Sequence, residues 1–172
     1  MRDDFLLLGC AVCFLIVRTS NAQLLEFERA PIAYHETEPN DPVSQLQKKI
    51  DTGDVDLAFD ERFGYLPAVL SALEIPQSSQ LLVFSKTSFQ QRKITPRRPR
   101  AIYFDDDTYI GYVQFGDVVE ISTTDPQLGG VFFTLLQEKA EKPHFVRDRG
   151  QCLTCHASSR TKGVPGHLGT GR

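Results

Sequence analysis

Methionine is all but missing from this chain: Met1 is the only one in 172 residues. No methionine sulfur beyond the initiator is therefore available as a metal ligand. Cysteine is scarce as well, with Cys10, Cys13, Cys152 and Cys155. The first two lie in the longest apolar run, the 13 residues Phe5–Val17. That run falls short of the ~20 residues that span a membrane comfortably. Arg2 precedes it and the small residues Ser20-Asn21-Ala22 follow it. The pattern predicts a secretory signal over 1–22 with cleavage after Ala22. Asp3 and Asp4 dilute the basic start, so an uncleaved anchor is the competing reading. Leu7-Leu8-Gly9-Cys10 resembles a lipoprotein box, but Cys10 sits inside the apolar run rather than after it. Cleavage leaves two cysteines, too few for a disulfide framework. Basic excess is also missing. The net charge of −3 and pI near 5.8 argue against a general nucleic-acid binder. No internal repeat or low-complexity tract interrupts the roughly 150 residues that remain, the size of one ordinary domain.

The two remaining cysteines stand in Cys152-Leu153-Thr154-Cys155-His156, a C-x-x-C-H pentad. This is the sequence signature of covalent c-type haem attachment. Cysteines at i and i+3 share one face of a helical turn, so both sulfurs reach the vinyl edges of one porphyrin. His156, four residues after Cys152, is placed to turn its imidazole onto the iron as proximal ligand. Random placement of four Cys and four His in 172 residues yields about 0.002 such pentads, which makes chance a poor explanation. Two other chemistries use a C-x-x-C pair. Structural zinc needs four ligands, and only His35, His144 and His167 are left to complete a single knuckle. A thioredoxin-like dithiol needs a βαβ setting that the flanking sequence does not show. One haem c per chain is the expected cofactor.

The rest of the chain alternates between helical and strand patterns. Residues 23–41 read as an extended, polar surface arm. Asp41-Pro42 reads as N-cap plus first-turn proline of a helix with Val43, Leu46 and Ile50 on one face, ending at Gly53. Leu66-Pro67 opens a second short helix through Leu73. The continuous apolar run Gln80–Ser85 reads as a buried strand. Arg100–Phe104 and Thr108–Gln114 flank Asp105-Asp106-Asp107 as a hairpin, and Asp117–Thr123 and Gly130–Leu136 follow as strands. The expected fold is α+β: a small, mainly antiparallel sheet with two or three short helices, then a cytochrome-c-like haem-binding helix and loop. The expected units are a scaffold domain over 23–141 and a haem attachment segment over 142–172.

From Lys142 to the end, six Lys/Arg stand against one acid, Asp148. Arg147, Arg149 and Arg160 are candidate partners of the haem propionates, because a guanidinium forks onto a carboxylate. They are equally a candidate rim for an acidic redox partner, or plain solvated surface. The second axial position is open to several readings. Distal methionine is excluded for this chain as given. His167, 11 residues beyond His156, is a possible distal ligand, and His144 is another. A sixth position left open to water or a small ligand is the third option.

The pentad followed by Lys162-Gly163-Val164-Pro165-Gly166 resembles the opening of class I cytochrome c domains, in which a Gly/Pro loop follows the haem-binding helix. That resemblance covers about 25 residues and implies that the Pro165 carbonyl holds the proximal histidine. Only 16 residues follow His156, against several helices and a distal Met in that family. A second resemblance rests on SSQLLVFSKTSFQ, PRAIYFDDDTYIGYVQ and CLTCHASSRTKGVPGHL, which look like exported haem-c proteins of planctomycete-type bacteria, themselves of unassigned function. It implies that the chain is the N-terminal part of a longer protein.

The sequence reading is an exported, periplasmic or secreted, single-haem electron carrier with no membrane span after signal cleavage and a redox protein as its partner. Cys152 and Cys155 are the thioether anchors and His156 the proximal ligand. A haem-dependent, peroxidase-like domain with an open sixth site is one alternative. The other is a partner-binding module with structural haem, with Lys86–Phe89 and Pro96–Arg100 as contact loops.

Overall fold

The computed structural model describes residues 25–167. The signal expected over 1–22 and the closing segment 168–172 lie outside the described residues. The first helix, α1 (Pro42–Thr52), starts where its sequence demands. The Asp41 carboxylate accepts from Val43 N at 2.8 Å and Ser44 N at 3.0 Å, and Pro42 fills the first turn. That satisfies backbone donors which a helix start otherwise leaves orphaned. Gly53 ends the helix at φ +83°, a left-handed conformation that costs glycine little. Val43, Leu46 and Ile50, on one stripe, are buried. The second helix, α2 (Leu66–Ala72), buries Leu66, Val69 and Leu70, and the chain leaving it buries Ile75.

Six strands form one antiparallel meander in chain order: β1 (Leu81–Val83), β2 (Arg100–Phe104), β3 (Thr108–Val113), β4 (Val118–Asp125), β5 (Gly129–Leu136) and β6 (Phe145–Arg147). With α1, α2 and a four-residue α3 (Leu153–His156), this is the α+β class expected. The Asp105–Asp107 tip closes as a turn in which the Asp105 carboxylate accepts from Asp107 N at 2.9 Å and Thr108 N. Strand period two sorts the residues. Ile110 opposite Ile121, and Ile121 opposite Phe133, place one set on the first face together with Tyr103, Val119, Val131 and Leu135. These pack with α1 and α2 into the core. Tyr109, Ser122 and Phe132 are aligned across β3, β4 and β5 on the second face.

Two expectations need correction. Residues 25–41 are not a surface arm, because Phe27 and Tyr34 are buried in the core and Tyr34 Oη donates to the Gly130 carbonyl at 2.9 Å. Their two aromatic rings, seven residues apart around a proline, carry no periodic signal. The run Gln80–Ser85 is not a buried strand. Its β1 lies at the sheet edge with Leu81 and Leu82 exposed by 56% and 49%. An apolar run reports composition, and only the strand order decides whether both faces are covered. Phe145–Arg147 joins the sheet as β6 and buries Phe145.

Candidate functional site

Strand β6 delivers the chain to the pentad. Asp148 N extends the β5–β6 ladder by donating to Phe132 O at 2.8 Å. Its carboxylate then turns back to accept from Gly150 N at 3.1 Å and Cys152 N at 2.9 Å. An aspartate bonding its own following backbone is a device for starting a turn. The pentad then winds as one helical turn, with Cys155 N and His156 N both donating to Cys152 O at 3.1 and 2.9 Å. Leu153 points into the core and is buried, while Cys152 packs half-buried against that core and Cys155 is exposed. The sequence requires this split. The x-x pair of the motif is Leu-Thr, so the turn presents one apolar side to the protein and keeps the other outside.

Neither cysteine is in a disulfide. The Cys152 thiol is pushed up to about 12, first by burial and then by the negative charge and hydrogen bond of Asp148. A thiol held protonated is a poor nucleophile and a poor metal ligand, since both roles need the thiolate. No group of three or more His, Cys, Asp or Glu side chains with metal-holding geometry occurs among the described residues.

His156 lies against the Phe132 ring, centroid to centroid 4.7 Å. Its Nδ1 is 2.8 Å from the Gly166 carbonyl oxygen, and Gly166 N donates to the His156 carbonyl at 3.0 Å. A carbonyl oxygen can only accept, so Nδ1 carries the proton. In the neutral ring the lone pair is then on Nε2. A backbone carbonyl on one ring nitrogen is what orients and electronically enriches a metal-binding histidine. The carbonyl expected from Pro165 is therefore supplied by the next residue. Pro165 O is already engaged, accepting from Gly130 N at 2.9 Å.

Other candidates sit elsewhere. His167 packs on the second face of the sheet, its ring 5.1 Å from Tyr109 and 6.4 Å from Phe132. Both of its nitrogens are engaged: Nδ1 with Ser122 Oγ at 2.7 Å and Nε2 with Thr124 Oγ1 at 3.1 Å. Burial first, and His156 second, lower its pKa, and Asp107 opposes them. Arg147 spans the Tyr34 ring at 4.7 Å and donates to the carbonyls of Tyr34 at 2.6 Å and Thr37 at 3.1 Å. These contacts secure residues 34–37 to the sheet and leave the guanidinium committed to backbone. Arg149 is exposed and reaches the His35 carbonyl at 3.4 Å, so its guanidinium is the freer of the two. His144 is exposed, and His35 pairs with Glu28 at 2.8 Å. The pentad thus shares a site with Gly166, Phe132 and, through Phe132, His167. Arg147, His35 and His144 are used elsewhere or are solvent-facing.

Phe132, Ser122, Thr124 and Gly130 contribute to this region without having been singled out in the sequence. Phe132 and Ser122 read there as ordinary strand residues and Thr124 as the residue just past a strand, and only the register brings them under the loop. No helix among the described residues is long and apolar enough to cross a membrane. No protein family, curated protein or solved structure matches this chain.

Proposed function

We propose that the chain is an exported, single-haem c-type cytochrome-like protein that passes electrons one at a time to a redox partner. The observation that carries this reading is the His156 Nδ1–Gly166 carbonyl bond at 2.8 Å, within the turn that holds both pentad cysteines. It directs the free lone pair of the imidazole to Nε2, where a proximal ligand needs it. The residues present fit a haem attached through two thioethers. A thioether sulfur is neutral, and the half-buried Cys152 environment favours a neutral sulfur. When bound, haem c supplies an iron centre that changes oxidation state by one electron. Cys152 and Cys155 would anchor it and His156 would hold the metal, with the Phe132 ring packed against the imidazole. Arg149 is the candidate propionate partner. Phe132 is carried by β5, and strand residues are held more tightly than residues on free loops.

A small-ligand or peroxidase-like site with an open sixth position is the second reading. One observation favours it: both ring nitrogens of His167 are engaged by hydroxyls.

The test is expression with a c-type haem maturation system, followed by haem staining on a denaturing gel and a pyridine haemochrome spectrum. One covalent haem per chain is expected, and none in Cys152→Ala/Cys155→Ala. A wild-type chain without covalent haem, or a double variant that keeps it, overturns the proposal. Cyanide or carbon monoxide binding at micromolar concentration separates the two readings, because an iron with two protein ligands resists both.

A further inference from the structure

We propose that His167 is a positioning residue for His156 and not an iron ligand. It latches the segment Pro165–His167 onto the second face of the sheet, and so holds the Gly166 carbonyl where His156 Nδ1 meets it. The geometry is residue by residue. Pro165 O accepts from Gly130 N at 2.9 Å. Gly166 exchanges two hydrogen bonds with His156, at 2.8 and 3.0 Å. His167 closes the row through Ser122 at 2.7 Å and Thr124 at 3.1 Å.

Two physical points separate latch from ligand. First, ligation requires a bare ring nitrogen, and His167 has none. A hydroxyl both donates and accepts, so Ser122 and Thr124 satisfy the ring in either neutral tautomer. Moving His167 to a metal would abandon at least one of these bonds and break its fit against Tyr109. Second, Gly166 is the neighbour of His167 in the chain. Withdrawing His167 from the sheet would drag the Gly166 carbonyl off His156, removing the support that makes His156 a good ligand. The same residue cannot serve both ends. Ser122 and Thr124 lie two apart on β4 and so present their hydroxyls on one face, which makes the receptor for the ring a property of a rigid strand.

The inference deepens the haem reading and rests on it for the word proximal, but the latch itself is measurable without haem. In the haem-free full chain, amide hydrogen exchange at Gly130 and Gly166 reads the two backbone bonds directly. His167→Ala is expected to lower protection at both by about tenfold or more, while amides of β3 and the β4 interior keep theirs. The nitrogen chemical shifts of His156 are expected to move from one fixed tautomer to a mixture. Ser122→Ala/Thr124→Val is expected to reproduce both effects with the imidazole still present, and it carries the test if His167→Ala does not fold. In the haem-loaded protein His167→Ala is expected to shift the midpoint potential upward, because the proximal imidazole loses electron-donating support, with the iron spin state unchanged. Conversion from low spin to high spin in His167→Ala, with the His156 tautomer intact, overturns the proposal, as does protection at Gly130 and Gly166 within twofold of wild type. Absence of covalent haem in the wild type defeats the haem reading alone and leaves the exchange result to decide the latch.

Discussion

Replacing Gly130 with alanine strikes a close approach between the sheet and the loop that carries the Gly166 carbonyl. A Cβ at position 130 would stand 3.1 Å from both Cα and N of Gly166 and 3.3 Å from its carbonyl carbon. Ordinary van der Waals contact begins at 3.4 Å, so the loop must retreat by a few tenths of an ångström. Backbone is the obstacle, not the end of a flexible side chain, so the retreat strains Pro165 O on Gly130 N and Gly166 O on His156 Nδ1 together. Overpacking of this kind costs about 1–3 kcal/mol. For a domain near 150 residues that is a fall in Tm of roughly 2–12 °C. Gly150 is the control, because a Cβ there meets nothing within 4 Å and its φ is not positive. Gly150→Ala should be neutral or stabilise by up to about 1 kcal/mol through the unfolded chain. Urea denaturation followed by circular dichroism measures both variants. The His156 nitrogen shifts should also change in Gly130→Ala and stay put in Gly150→Ala. A Gly130→Ala protein as stable as Gly150→Ala, with unchanged His156 shifts, refutes the claim that this loop is seated tightly on the sheet.

Asp41→Ala should cost about 2 kcal/mol, at the upper end of N-cap effects, because the carboxylate is fully buried and serves two backbone donors and Ser44 Oγ; denaturant titration measures it. Glu120→Gln should destabilise by about 3 kcal/mol. It unpairs half-buried Arg100, whose Nη2 lies 2.7 Å from the carboxylate, and weakens the anchor of Ser88 and Phe89, so a cycle with Arg100→Met should show strong coupling. Tyr34→Phe should cost about 1 kcal/mol in the same titration, the worth of one buried hydrogen bond to Gly130 O. For pH, the folded His167 pKa lies below the unfolded value of 6.5, so the unfolded chain binds the extra proton. Stability should therefore fall as pH drops through and below 6.5, by no more than about 1.4 kcal/mol per unit, and level off once the folded imidazole is protonated as well. A His167→Ala chain should lack this component.

Local chemistry was legible wherever a residue type acts on its own neighbours. Asp41-Pro42 announced a helix start, the Asp105–Asp107 cluster a turn, and Cys152-Leu153-Thr154-Cys155-His156 a single helical turn with two sulfurs and an imidazole together. Each depends on contacts a few residues apart, so spacing alone encodes it. The pentad's chemistry is likewise a matter of types and spacing, and it motivates the haem proposal without any tertiary information.

What tertiary structure alone decided is which surfaces are covered. Apolar Leu81 and Leu82 are exposed because β1 ends the strand order, and Tyr34 is buried where Arg147 and Gly130 meet it from more than ninety residues away, with Phe27 packed on its ring. The Gly166 carbonyl, not the neighbouring Pro165 carbonyl, faces His156 because Gly130 has already claimed Pro165. His167 lies on hydroxyls for the same reason: the register of β3, β4 and β5 gathers Tyr109, Ser122 and Phe132 beneath it. Strand period dictates which side chains share a face, but not which loop will later be laid across them. That choice depends on pairing between distant segments, where the free energy is summed over the whole sheet rather than written in any short stretch of sequence.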